Sequence, residues 1–156
     1  MRPEAQLLKF LKEEILSQST YVLTQDNIYL SESIEFLMQN DDWYPRIEIQ
    51  PLSLPRVERV TQRTQTRNVT YGLQGYIRRA EDKPTTDEDS FQLFDFLCET
   101  EELITKIHNA KIAGTAGLPS EFIQIKAYSE AFMALEIEPR ISTFMFNFTA
   151  EFSVCG

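Results

Sequence analysis

One histidine (His108), two cysteines (Cys98 and Cys155) and twenty-four acids are the material from which this 156-residue chain could build chemistry. A nitrogen- and sulfur-ligated metal site needs three or four His or Cys side chains at short, regular spacings, and one histidine with two scattered thiols does not supply them. The five glycines (72, 75, 114, 117 and 156) fit neither G-x-G-x-x-G nor the P-loop pattern, so no phosphate cradle is indicated. No G-x-S-x-G turn presents a serine nucleophile. The acid pairs Asp41–Asp42, Asp87–Asp89 and Glu101–Glu102 sit in polar stretches, where carboxylates form solvated faces. Two cysteines make no disulfide framework in a chain of this size and read as reduced thiols. N-x-T occurs at Asn68 and Asn147, both inside stretches with strand periodicity, where chance accounts for it. The expectation is a protein that is not an enzyme and holds no cofactor or metal.

Charge is more informative. The chain carries a net charge of −9, which disfavours general adhesion to nucleic-acid phosphates. Its distribution is uneven. From Arg56 to Arg79 there are six arginines (56, 59, 63, 67, 78 and 79) against Glu58 alone. From Glu81 to Glu102 there are nine acids against Lys83 alone. Adjacent blocks of opposite sign can pair within one chain or between neighbouring copies, and the sequence leaves both open.

The elements that must position these blocks follow from periodicity. Between Arg67 and Ile107 the pattern changes from strand to helix. Val69, Tyr71, Leu73, Gly75 and Ile77 alternate with polar neighbours, as in a half-buried strand. After the polar loop DKPTTDEDS, Leu93, Phe94, Leu97, Ile104 and Ile107 form a stripe at helical spacing, interrupted at Glu101. Asp87, Asp89 or Ser90 can cap that helix, and the acids complement its positive end.

The rest of the chain supplies partners for this strand and helix. Pro3 suits a first helical turn, and Leu7, Leu8, Leu11, Ile15 and Leu16 give the first helix an apolar stripe that stops at Ser17–Thr20. Between Tyr21 and Asp42 either a short helix through Ile34, Phe36, Leu37 and Met38 or an irregular loop fits. Ile47 and Ile49 mark a short strand stopped by Pro51. Residues 52–66, with Pro55 and weak strand character at Val57 and Val60, read as an extended arm or edge hairpin. Residues 115–119 make a turn. Phe122–Glu138 reads as two strands, or one bulged strand, with Ile123, Ile125 and Ala127 sharing a face and a break near Ser129–Ala131. Phe144, Phe146, Phe148, Ala150, Phe152 and Val154 line one side of a final strand, placed beneath the helices. The chain is thus one domain of the α+β class: a mainly antiparallel β-sheet with helices packed on one face, a two-layer sandwich. No run is apolar and long enough for a membrane helix, and the amphipathic, acid-containing N-terminus is unlike a secretion signal.

Three of these stretches, TYGLQGYIRRAED, FQLFDFLCETEELITKI and STFMFNFTAEFSV, occur in the order long strand, acidic linker, helix, aromatic closing strand. In this the chain resembles the tail terminator (tail completion) family of tailed bacteriophages and related contractile particles, over roughly residues 46–154. The long stretch between Gln50 and Arg67 and the segment 21–42 depart from the family pattern. The resemblance implies a structural virion protein of the tail and neck. It would form a ring, a homohexamer in the family, that caps the head-proximal end of the tail tube, ends tube polymerisation and joins it to a head-side connector or stopper. DNA would only pass through the channel, and an acid surplus lining it would keep phosphates from adhering. No membrane is involved. The implied contact residues are Arg56, Arg59, Arg63 and Arg67, meeting acids such as Glu81, Asp82, Asp87, Glu88 and Asp89 of a neighbour. Alternative readings are a head–tail adaptor or stopper of the same neck, and a protein-binding module outside any virion.

Overall fold

A computed structural model of the chain describes residues 2–20, 28–29, 45–52, 56–59, 64–78, 87–112, 114, 117–138 and 141–155. The element order is α1 (Pro3–Gln18), β1 (Ile28–Tyr29), β2 (Arg46–Pro51), β3 (Arg56–Arg59), β4 (Thr64–Arg78), α2 (Asp87–Ile112), β5 (Phe122–Tyr128), β6 (Phe132–Glu138) and β7 (Ile141–Cys155). The fold is α+β, with one mainly antiparallel sheet and the helices against one of its faces.

The sheet is organised by β4 and β7, 15 residues each, paired antiparallel without a register shift from Thr64↔Cys155 to Arg78↔Ile141. Strands β2 and β3 share the other edge of β4, and β5 and β6 share the other edge of β7. Among the described residues only β1 runs parallel to its partner, as the two-residue pairing Ile28↔Ile47 and Tyr29↔Glu48. Nothing in the periodicity around Ile28 announced that strand, because a two-residue ladder leaves no pattern to read. The short helix expected between Ser31 and Asn40 lies outside the described residues.

Alternation places Ile47 and Ile49 of β2, Val69, Tyr71 and Leu73 of β4, and Phe144, Phe146, Phe148, Ala150 and Phe152 of β7 on the helix side, all buried. Phe96 of α2 meets Phe144 edge-on with ring centroids 5.2 Å apart, and Tyr71 stacks on Phe148 at 5.3 Å. Helix α1 adds Leu7, Leu8, Phe10, Leu11 and Ile15 to the same core. Gly75 faces Phe144 directly, and the aromatic ring lies over it: a Cβ there would come within 2.3 Å of two ring carbons. The glycine is the space the ring occupies.

Two readings of side-chain direction are corrected. The buried stripe of α2 is Leu93, Phe96, Leu97, Thr100, Leu103, Ile104 and Ile107, whereas Phe94 is 54% exposed. At 100° per residue, Phe94 stands well off the line through Leu93 and Phe96. The polar Thr100 fits within the stripe because its hydroxyl donates to the Phe96 carbonyl at 2.8 Å. In β5 the register shifts twice, between Phe122 and Gln124 and between Ile125 and Ala127. Each bulge changes parity, so Phe122, Ile125 and Tyr128 pair with the helix-side residues of β7, and Ala127 pairs with Thr149 on the open face.

Candidate interaction surface

The arginine block is divided between the two ends of the sheet: β3 lies at one, and Arg78 closes β4 opposite Ile141 at the other. Arg56 and Arg59 lie on β3, paired with Asn68 and Gln65 of β4. That is the end of the sheet where β4 meets Glu151–Cys155 of β7. The acids Asp87, Glu88 and Asp89 form the first turn of α2, where aligned peptide dipoles favour negative charge. Arg63, Glu81 and Asp82 lie outside the described residues.

Contacts fix the direction of α2 over the sheet. Phe96 sits on Phe144, and nine residues further on the Thr105 hydroxyl is 3.3 Å from that of Tyr128, which pairs with Phe148. The helix therefore runs the way β7 runs, and its acidic start lies beyond Phe144, away from β3. Gly75, opposite Phe144, is seven to ten positions along β4 from the residues that pair with β3. At about 3.3 Å per residue that interval is roughly 23–33 Å. The arginines of β3 and the first turns of α2 are thus at opposite ends of one sheet.

Arg67 has a partner inside the chain. Its guanidinium pairs with the Glu4 carboxylate of α1, both largely buried. The reason is parity: Arg67 is on the helix side of β4, two residues before Val69, where the start of α1 lies. Tyr71, the next helix-side residue after Val69, donates its hydroxyl to the Glu4 carbonyl at 3.2 Å. Burial, reinforced by the Glu4 carboxylate and partly offset by Arg67, pushes the Tyr71 phenol well above its ordinary range. The other end of α1 is tied by Glu99 of α2, which accepts from the Ser19 hydroxyl at 3.2 Å and from the Thr20 amide.

The open face of the sheet carries a buried ion pair that periodicity did not reveal. Arg46 and Glu48 are 1% and 3% exposed, with the Arg46 Nε and Nη2 each 3.0 Å from Glu48 Oε1. The Tyr76 hydroxyl donates to Glu48 Oε2 at 3.4 Å. An i, i+2 Arg–Glu pair on a strand was the available signal, since both side chains share a face. Along the same face Leu52 packs over Gly72, and a shallow depression is lined by Gln50, Gln74, Met145 and Asn147.

The remaining surface is α2 itself. Between Asp87 and Thr105 it has seven acids and no base. Phe91 is 71% exposed and Phe94 54%. Helical rotation puts Phe91 outward with Glu88, Asp95 and Glu102, and Phe94 on the flank shared with Thr105, toward β5. Cys98, half-buried on this side, has its thiol pushed up by burial and by Glu101, Asp95 and Glu102. Among the described residues no group of three or more His, Cys, Asp or Glu is placed to hold a metal ion, and no helix is long and apolar enough to cross a membrane. The outer surface of α2 thus sets exposed aromatic area beside acids.

No protein-family model and no curated protein matches the chain.

Proposed function

We propose that this chain is a structural ring-forming protein of a phage-like tail, a tail terminator that stops tube growth and joins the tube to the head-side connector. The observation that carries the proposal is a stiff tile whose two ends are built from different elements. Two 15-residue strands in unbroken register, backed by both helices, hold the arginine-bearing β3 at one end and the acidic start of α2 at the other. A tile with unlike ends makes a heterologous contact with an identical tile, and such contacts close into a ring when the rotation between copies permits. Supporting this, the stretches that carry the family resemblance are β4, α2 and β7, the elements that build the tile. The acid surplus of the whole chain suits a channel through which DNA slides without being held.

The experiment is to polymerise a tail-tube protein from the same source as this chain, with and without the purified chain, and to measure tube lengths by electron microscopy. Substoichiometric chain should shorten the tubes and appear as a ring at one end. Unchanged lengths with no terminal density would overturn the reading.

A further inference from the structure

We infer that the outer edge of residues 129–134, the start of β6 and the link before it, is a strand-addition site for an extended segment of a partner protein: a short continuous apolar run flanked by lysine or arginine. The inference goes beyond the ring reading and does not depend on it.

The exposed apolar side chains are gathered rather than scattered. Phe94, Phe132, Met133 and Met145 are each between 41% and 57% exposed. Phe132 pairs with Met145 on the open face, and Met133 pairs with Phe144 on the helix side. Phe96 rests on Phe144. Phe94, about 3 Å back along the helix axis and turned to the flank of β5 and β6, is therefore at the level of Met133 and on its side of α2. The four residues surround one margin of the sheet, two on each of its faces.

That margin is a backbone edge. Among the described residues β6 pairs with β7 alone, and the Ser129 amide donates to the Asn147 carbonyl at 2.8 Å, which keeps the link alongside β7 as well. Alternate residues of an edge turn their N–H and C=O groups outward, where an added strand can take them up. The stretch 129–134 spans roughly 20 Å, enough for a short ladder. Soluble proteins blunt such edges with bulges, lysine or proline. Strand β5 has two bulges and Lys126, whereas Phe132, Met133 and Ala134 pair with β7 in unbroken register and carry no such guard.

The occupant follows from the surroundings. Successive side chains of an added strand fall on opposite faces. Here one face offers Phe94 and Met133 and the other Phe132 and Met145, so consecutive positions of the guest are apolar, not alternate ones. Its flanks are basic because the charges nearby are acids: Glu130 within the edge, and Asp87, Glu88, Asp89 and Asp95 on the turns of α2 around Phe94. The bases stand further off. Lys106 is about 18 Å from Phe94 along the axis of α2. Lys126 lies past Tyr128 on β5, and Arg78 is two strands away on β4.

The test is fluorescence anisotropy with the full-length chain and a labelled, end-blocked peptide, Lys-Arg-Val-Ile-Val-Tyr-Arg-Lys. Saturable binding is expected. N-methylation of the apolar residues keeps their side chains but removes their donors, and should weaken binding about tenfold or more. Glutamate in place of the flanking lysines and arginines should weaken it about tenfold at low salt, with the gap closing as salt rises. Two variants of the chain, Phe94→Ser with Met133→Ser and Phe132→Ser with Met145→Ser, should each bind the basic peptide about tenfold more weakly or worse. The two altered peptides are tested on the wild-type chain, so they stand whether or not a variant folds. No saturable binding, equal binding of the N-methylated peptide, or binding indifferent to both variants overturns the inference. Self-association of the wild-type chain that Phe132→Ser with Met145→Ser abolishes also overturns it, since the edge then takes a second copy.

Discussion

Replacing Gly75 with alanine tests the packing of the tile at its tightest point. A Cβ at this position would approach Phe144 Cε1 and Cζ to 2.3 Å, far inside van der Waals contact. The ring cannot simply swing away. Phe96 meets it edge-on at 5.2 Å, and Phe146 stacks beside it at 6.4 Å. Forcing atoms into a filled core is destabilising by about 1–3 kcal/mol, and the depth of this clash argues for the upper half of that range. Against it stands the gain from removing a glycine's conformational freedom, about 0.5–1 kcal/mol. The net expectation is a loss of about 2 kcal/mol, or a drop in Tm of roughly 4–8 °C for a chain of this length. Gly72, three residues earlier and on the open face, is the internal comparison. A Cβ there meets the Leu52 side chain at 2.9 Å, and Leu52 is half exposed and free to turn, so Gly72→Ala should change stability by less than about 0.5 kcal/mol. Urea denaturation followed by far-UV circular dichroism measures both. Phe144→Leu should relieve most of the Gly75→Ala penalty, with a coupling energy of about 1 kcal/mol or more. If Gly75→Ala proves as mild as Gly72→Ala, or if Phe144→Leu leaves its penalty intact, the account of Gly75 as space for a ring is wrong.

Other measurements bear on the buried polar groups. Glu48→Ala leaves the Arg46 guanidinium without its carboxylate in a buried site and should destabilise by about 3–5 kcal/mol in the same urea experiment, while Arg46→Met with Glu48→Leu should be far milder. Tyr71 stays protonated in the folded chain at pH values where the unfolded chain has begun to ionise it. The unfolded state therefore binds fewer protons, and stability should fall as pH rises above about 10, by up to about 1.4 kcal/mol per pH unit from this residue. Tyr71→Phe should remove that part of the alkaline slope, and slopes that coincide for the two proteins would contradict the assignment. Thr100→Val, which exchanges a hydroxyl bonded to the Phe96 carbonyl for a methyl group in an apolar stripe, should shift stability by less than about 1 kcal/mol. The Cys98 thiol, raised by burial and three nearby acids, should react with a disulfide reagent along a pH profile displaced upward from that of an unstructured cysteine peptide. A profile at or below the peptide's would contradict this.

Local periodicity determined much of the architecture. The alternation of Phe144 through Phe152, and of Val69 through Leu73, fixes which side of each strand is buried, because successive side chains of a strand point to opposite faces whatever it pairs with. The α1 stripe and the break at Ser129–Ala131 between β5 and β6 are legible for the same reason: each depends only on near neighbours in sequence. Charge blocks are legible as composition.

Tertiary structure decided what sits opposite what. Whether Phe94 or Phe96 enters the core depends on how α2 rolls on the sheet, which is set by Phe144 some fifty residues away. Arg67 finds Glu4, and Arg46 and Glu48 are buried together, because strand pairing assigns them to opposite faces of one sheet. The two bulges in β5 overrode an alternation that read correctly only residue by residue. Above all, the sequence leaves the arginine and acid blocks adjacent, whereas the register of β3 on β4 and the direction of α2 carry β3 to the far end of the sheet and leave Arg78, opposite Ile141, at the end where α2 begins. Separation along the chain and separation in space are different quantities, and only the long-range hydrogen-bond ladder converts one into the other.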